Sequence, residues 1–141
     1  MGAEIRILTA DDHQPFLAAL RQIVTAEPDF RIIGECADGI AALLRIFAER
    51  PDVAVLDVEM PGMDGIAVTE KLAASGAVTR AIILTMHKEE NLLRHARKLG
   101  AWGYLLKENA AFELAPAIRA VVAGIRFGGR SCAAFEEEIK W

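Results

Sequence analysis

A doubly wound α/β fold, one parallel sheet covered by helices on both faces, is what the sequence predicts. Three observations predict it. Short apolar, β-branched runs alternate five times with longer amphipathic stretches. Inner runs such as AIILT are apolar throughout, as strands buried on both faces must be. Breakers separate the segments at Pro28, Gly39, Pro51, Gly65, Gly76 and Gly100. Strict alternation implies parallel strands, and right-handed crossovers leave few topologies open.

In chain order, the strands are expected at IRILTA (5–10), FRIIGEC (30–36), VAVLDV (53–58), AIILT (81–85) and GYLL (103–106). Helices lie between them. Leu17, Leu20, Ile23 and Val24 share one face of the first, and Ala42, Leu43, Ile46 and Phe47 one face of the second. Ile66, Leu72 and Ala73 give a less clean third. Leu92, Leu93, Ala96 and Leu99 mark the fourth, and Leu114, Ile118, Val121 and Val122 the fifth. The tail IRFGGRSCAAFEEEIKW opens on a Gly-rich break and ends acidic, as a linker or a short extra helix would. We therefore expect one domain over 4–124 and a linker or extra helix over 125–141.

A chain of 141 residues suffices to bury its own core. A net charge of -4 gives no general affinity for nucleic acid or anionic lipid. No apolar run approaches the roughly 20 residues that cross a bilayer, and MGAEIRI lacks the basic start of a signal peptide. Cys36 and Cys132 match no metal spacing or disulfide framework, which suits reduced thiols in the cytoplasm.

Ligands of open parallel sheets bind beyond the carboxyl ends of the strands. Four strands deliver a reactive group to that edge. The first ends in Asp11 and Asp12, the third in Asp57, the fourth in Thr85, and the fifth runs into Lys107. Three carboxylates gathered there repel one another. Magnesium, an oxygen-seeking cation that keeps several waters, relieves the conflict. Lys107 adds a second positive charge and Thr85 a hydroxyl donor. A carboxylate nucleophile in that company suits phosphoryl transfer, which is mostly positioning and charge neutralisation.

Taken singly, each residue has an ordinary explanation. An Asp pair is usually a turn or a helix cap, a strand-end Thr is usually structural, and MPGMDG alone reads as a loop and cap. The joint arrangement, one group closing each strand, is what chance does not supply.

The residues DDH (11–13), LDVEMPGMDG (56–65), ILTMH (83–87) and GAWGYLLK (100–107) resemble those of response-regulator receiver domains in two-component signalling. IIGECADG, MPGMDG and GAWGYLLKE are similar to the subfamily that usually carries a C-terminal helix-turn-helix output domain. The resemblance implies a flavodoxin-like (βα)5 sheet of order 2-1-3-4-5. It implies that Asp57 accepts a phosphoryl group from a sensor histidine kinase. Asp12 then ligates Mg2+ directly, Asp11 mainly through water, and the Glu59 carbonyl completes the protein ligands. Thr85 and Lys107 bind the phosphoryl oxygens. In the family, Thr85 then moves toward the phosphate while the switch aromatic, here Tyr104, turns inward, which repacks the face built by the fourth helix, fifth strand and fifth helix, a local charge event biasing a bistable element. Such a domain is a switch rather than an enzyme. Its partners are the kinase, a second copy in a homodimer, and DNA only through an output domain that this chain does not contain.

Three features depart from the commonest family pattern. Glu108 follows Lys107 where Pro is frequent. Glu59 and His87 stand two residues beyond Asp57 and Thr85. They are expected either as separate exposed residues or as a pair gating the hydrolytic water. Thirdly, an output domain would need about 60 residues more. The chain is thus either an excised module or a stand-alone regulator.

Two other functions compete. An aspartate-nucleophile phosphohydrolase acting on small phosphomonoesters carries a second acid two residues after the nucleophile, as Glu59 does. The DDH pair and the lack of a cap insertion speak against it. A flavin carrier on the same sheet needs a Ser/Thr/Gly phosphate loop after the first strand, where TADDHQ presents acids.

Overall fold

The computed structural model describes residues 3–136. Its strands are β1 (Ile5–Ala10), β2 (Phe30–Cys36), β3 (Val53–Asp57), β4 (Arg80–Thr85), β5 (Gly103–Leu106) and a two-residue β6 (Phe127–Gly128). The helices are α1 (Gln14–Thr25), α2 (Gly39–Glu49), α3 (Gly65–Ala74), α4 (Glu90–Lys98) and α5 (Ala110–Val122). All strand pairs are parallel, in the order β2-β1-β3-β4-β5-β6. The expected order 2-1-3-4-5 is therefore observed, and the tail adds β6 at its edge. Four 3-10 residues, Ala133–Glu136, follow. Residues 137–141, the end of the tail discussed above, lie outside the described residues.

Alternation along the strands sorts side chains onto the two faces. Ile7, Val53, Val55, Ile82, Leu84 and Leu105 pack under α1 and α5 with Leu17, Leu20, Leu114 and Ile118. Leu8, Ala54, Leu56, Ile83, Tyr104 and Leu106 pack on the other face with Ile46, Ile66 and Leu93. The buried helix stripes match the expected ones with three exceptions. Phe47, Ala73 and Val122 are exposed, because each lies at the margin of its stripe, turned past the sheet.

Local chemistry sets the helix starts near the carboxyl edge of the sheet. Asp38 and Asp64 cap α2 and α3, each accepting a backbone N–H three residues on (Ala41 and Ala67, both 2.7 Å). Two glycines hold the loop between β3 and α3. The Gly39 amide donates to the Pro61 carbonyl and the Gly65 amide to the Val58 carbonyl. A Cβ at Gly65 would stand 2.2 Å from the Asp57 carbonyl oxygen, and one at Gly39 1.8 Å from that of Met63. Only glycine permits so close a backbone approach. Among the described residues no helix is long and apolar enough to cross a membrane.

Candidate functional site

Strand register brings the acids together. Ala10 pairs with Leu56, which sets Asp11 beside Asp57 one step further on. Strand parity does the rest. Asp57 continues the Val53–Val55 row and Lys107 the Leu105 row, both on the α1/α5 face. Thr85 follows Ile83 onto the opposite face, which it shares with Tyr104. Asp57 and its ammonium partner Lys107 thus share one side of the sheet, and the Thr85 hydroxyl and Tyr104 share the other.

The carboxylates of Asp11, Asp12 and Asp57 offer oxygens within 4.8 Å of one another. Asp11 and Asp57 are buried, and Asp12 is exposed at the rim. Lys107 Nζ lies 2.6 Å from Asp11 Oδ2 and 3.3 Å from Asp57 Oδ2. The shorter contact is an ion pair outside hydrogen-bond geometry, so Asp11 Oδ2 keeps a lone pair without a hydrogen-bond donor. Asp11 Oδ1 accepts the His13 backbone amide at 2.9 Å, which fixes the carboxylate plane. Burial pushes the Asp57 carboxyl up to about 6, and the neighbouring Asp11 charge adds to the rise. The Lys107 ammonium and the Glu59 backbone N–H pull it back only in part. One lysine therefore does not neutralise the cluster.

The donor set fits magnesium: hard carboxylate oxygens within reach of one another, with Asp12 exposed to admit coordinated water. Asp11, Asp12 and Asp57 could hold the ion.

Thr85 Oγ1 donates to the His87 carbonyl at 3.3 Å and lies 3.4 Å from the His87 amide. Its hydroxyl is thus occupied away from Asp57. Tyr104 is fully buried, and among the described residues its hydroxyl has no partner of good hydrogen-bond geometry, Thr85 being the side chain that faces it. Burial pushes that hydroxyl up to about 12. Glu59 and His87 are both exposed, and no ion pair among the described residues joins them.

Sequence reading missed several participants. Phe16 of α1 lies under Lys107, with the ammonium 4.6 Å from its ring centroid, which steers the side chain toward the acids. Its one signal was an aromatic placed just after DDH. Gly39 and Gly65 were legible only as breakers. Phe135, stacked on Tyr104 with centroids 5.9 Å apart, gave no signal at all.

Comparison with known proteins agrees with this geometry. The response regulator receiver domain family model matches residues 7–119. The transcriptional regulatory protein YvfU of Bacillus subtilis, itself uncharacterised, is 40% identical over 122 residues, covering 86% of this chain and 61% of its own. The transcriptional regulatory protein DegU of Brevibacillus brevis is 34% identical, covering 86% of this chain and 51% of its own. The chain thus spans less than two thirds of the length of these relatives. Among solved structures, the receiver domain of the putative response regulator NarL from Mycobacterium tuberculosis superposes with a TM-score of 0.84 at 33% identity. That match covers 87% of this chain and 99% of the other. A LuxR-family two-component response regulator from Aurantimonas gives 0.88 at 30%, covering 93% and 94%. The chain belongs to the response regulator receiver domain family.

Proposed function

We propose that this chain is the phosphoacceptor module of a two-component transcriptional regulator, charged at Asp57 by a sensor histidine kinase. The observation that carries the proposal is the buried Asp11–Lys107–Asp57 cluster at the carboxyl edge of the sheet. In the reaction, an Asp57 carboxylate oxygen attacks phosphorus, an O–P bond forms, and the N–P bond to the kinase histidine breaks. The released imidazole takes up a proton. Bound Mg2+ would supply charge neutralisation for the phosphoryl oxygens. Lys107, held over Phe16, moves from balancing two carboxylates to balancing the acyl phosphate. Thr85 can exchange its weak bond to His87 for a charge-assisted one to a phosphoryl oxygen.

On this reading residues 4–124 are the receiver unit and 125–141 a linker or short extra helix, and the switch controls an output domain or a partner protein. Repacking of Tyr104 reports the modification on the surface formed by α4, β5 and α5, where homodimerisation is also expected. Glu59 and His87 stand at the mouth and govern water access to the acyl phosphate. The protein acts in the cytoplasm, where its kinase presents the phosphohistidine.

The test is stoichiometry. With Mg2+ and a small acyl phosphate, one phosphoryl group per chain should be incorporated, lost with chelator and lost in Asp57→Ala. Sustained release of inorganic phosphate from phosphomonoesters would instead favour a phosphohydrolase.

A further inference from the structure

The described residues after α5, up to Glu136, do not leave the domain; they cross its edge. Phe127 and Gly128 pair in parallel with Gly103 and Tyr104. The Phe127 amide donates to the Trp102 carbonyl at 3.0 Å and the Gly129 amide to the Tyr104 carbonyl at 3.1 Å. A two-residue ladder holds little by itself. What holds the segment are side chains. Phe135 is fully buried on Tyr104, with rings 24° from parallel. Arg97 of α4 donates from Nε to the Phe135 carbonyl at 3.0 Å and lies over its ring. Glu113 of α5 accepts the Arg130 amide at 2.6 Å, and Glu136 accepts the Gly128 amide at 3.2 Å. Cys132 is buried beneath the crossing.

From this geometry we infer that the α4–β5–α5 edge is a seat for a two-residue strand followed by a tight turn that carries an aromatic anchor. Its occupant is residues 127–136 of this same chain, and charging Asp57 loosens it through Tyr104. The inference rests on the phosphoacceptor reading above. Strand addition at an open edge with a pocket for one side chain is a known mode of peptide recognition. Here the pocket floor is the Tyr104 ring, and Tyr104 faces Thr85. The observed seat is formed with the Thr85 hydroxyl turned to the His87 backbone. Drawing that hydroxyl to a phosphoryl oxygen opens space beside the unpartnered Tyr104 hydroxyl. A close-packed ring does not stay put beside a new void, and its stack with Phe135 weakens. Linkage makes the effect reciprocal: releasing the segment favours the charged site by the same factor. One aromatic stack sets the scale at about two- to tenfold.

Thiol labelling reads the segment directly, with Cys132 as reporter and Cys36, buried at the far edge of the sheet, as internal reference. The full chain in Mg2+ is labelled with a maleimide, with and without beryllium fluoride as phosphoryl mimic, and followed peptide by peptide. The mimic should speed Cys132 labelling two- to tenfold and leave Cys36 unchanged. Phe135→Ala should label fast without the mimic, gain nothing from it, and bind it tighter by that factor. Because Phe135→Ala opens the core, Glu113→Gln serves as the milder variant and should give an intermediate rate. If calorimetry shows the mimic bound while Cys132 stays protected, or if both cysteines accelerate alike, the seat is not coupled to Asp57. Absence of any binding heat removes the phosphoacceptor reading and this inference with it.

Discussion

Lys107 stands 3.3 Å from the Asp57 carboxylate, yet that carboxyl is still pushed up to about 6. The lysine is shared: its shorter contact, 2.6 Å, is to Asp11. One ammonium among three carboxylates leaves a net negative pocket at neutral pH. That deficit makes a divalent cation welcome, and it has measurable consequences.

Removing the ammonium exposes the deficit. Lys107→Met should cost about 3–5 kcal/mol in the absence of metal, since two buried carboxylates lose their counterion. Saturating Mg2+ should recover a good part of it, as binding to the folded state alone stabilises by mass action. Urea unfolding at neutral pH with and without Mg2+ checks both. Equal midpoints for variant and wild type in chelator would mean that the cluster does not depend on Lys107.

Asp57 itself should be a liability to the metal-free fold. Its folded value, about 6, lies above the ordinary 3.8, so the folded state binds the proton more tightly than the unfolded one. Asp57's own contribution is therefore most favourable below about 4 and is lost as pH rises through about 6, by on the order of 3 kcal/mol. Asp57→Asn should be more stable than wild type at pH 7 without metal, and the gap should close near pH 4. Denaturation midpoints across that range decide it; a gap that widens on acidification contradicts the sign.

Gly65 is a backbone requirement of the site. A methyl group there meets the Asp57 carbonyl oxygen at 2.2 Å. Gly65→Ala should destabilise by about 1–3 kcal/mol through overpacking and slow phosphorylation by displacing the nucleophile. Gly76→Ala is the contrast: its added Cβ meets nothing within 4 Å, so its cost is confined to its positive φ of 68°. A normal phosphorylation rate in Gly65→Ala would show that the loop tolerates the shift.

Glu59 and His87 are exposed and unpaired with each other. Both Glu59→Asn and His87→Ala should change the lifetime of phospho-Asp57. Without an ion pair to break, their effects should multiply independently in the double variant. Lifetimes followed by decay of the intact phosphoprotein test this. Unchanged lifetimes would remove both residues from water control.

The strands and the acidic cluster were legible because each carries its own period and each reactive residue closes a strand. Asp11, Asp57 and Lys107 follow from strand order plus parity. The partition of Thr85 and Tyr104 to the other face is also a parity result, available once the strands are placed. Phe135 and β6 were not legible. A two-residue strand has no period, and one phenylalanine in a polar tail carries no sign of its burial. Phe47 misled for the opposite reason. On α2 the exposed face also carries Ile40 and Leu44, so apolar spacing did not mark the edge of the core. Gly39 and Gly65 read only as breakers because the close approaches that require them, to the Met63 and Asp57 carbonyls, exist only once the chain is folded.

The account stands or falls on where the phosphoryl group goes. Wild type and Asp57→Ala, incubated with Mg2+ and a small acyl phosphate, should be weighed intact and then mapped by peptide. One phosphoryl increment on the wild type, carried by the peptide containing Asp57 and absent from the variant, is the predicted result. An equal increment on Asp57→Ala, or none on either protein, would contradict it.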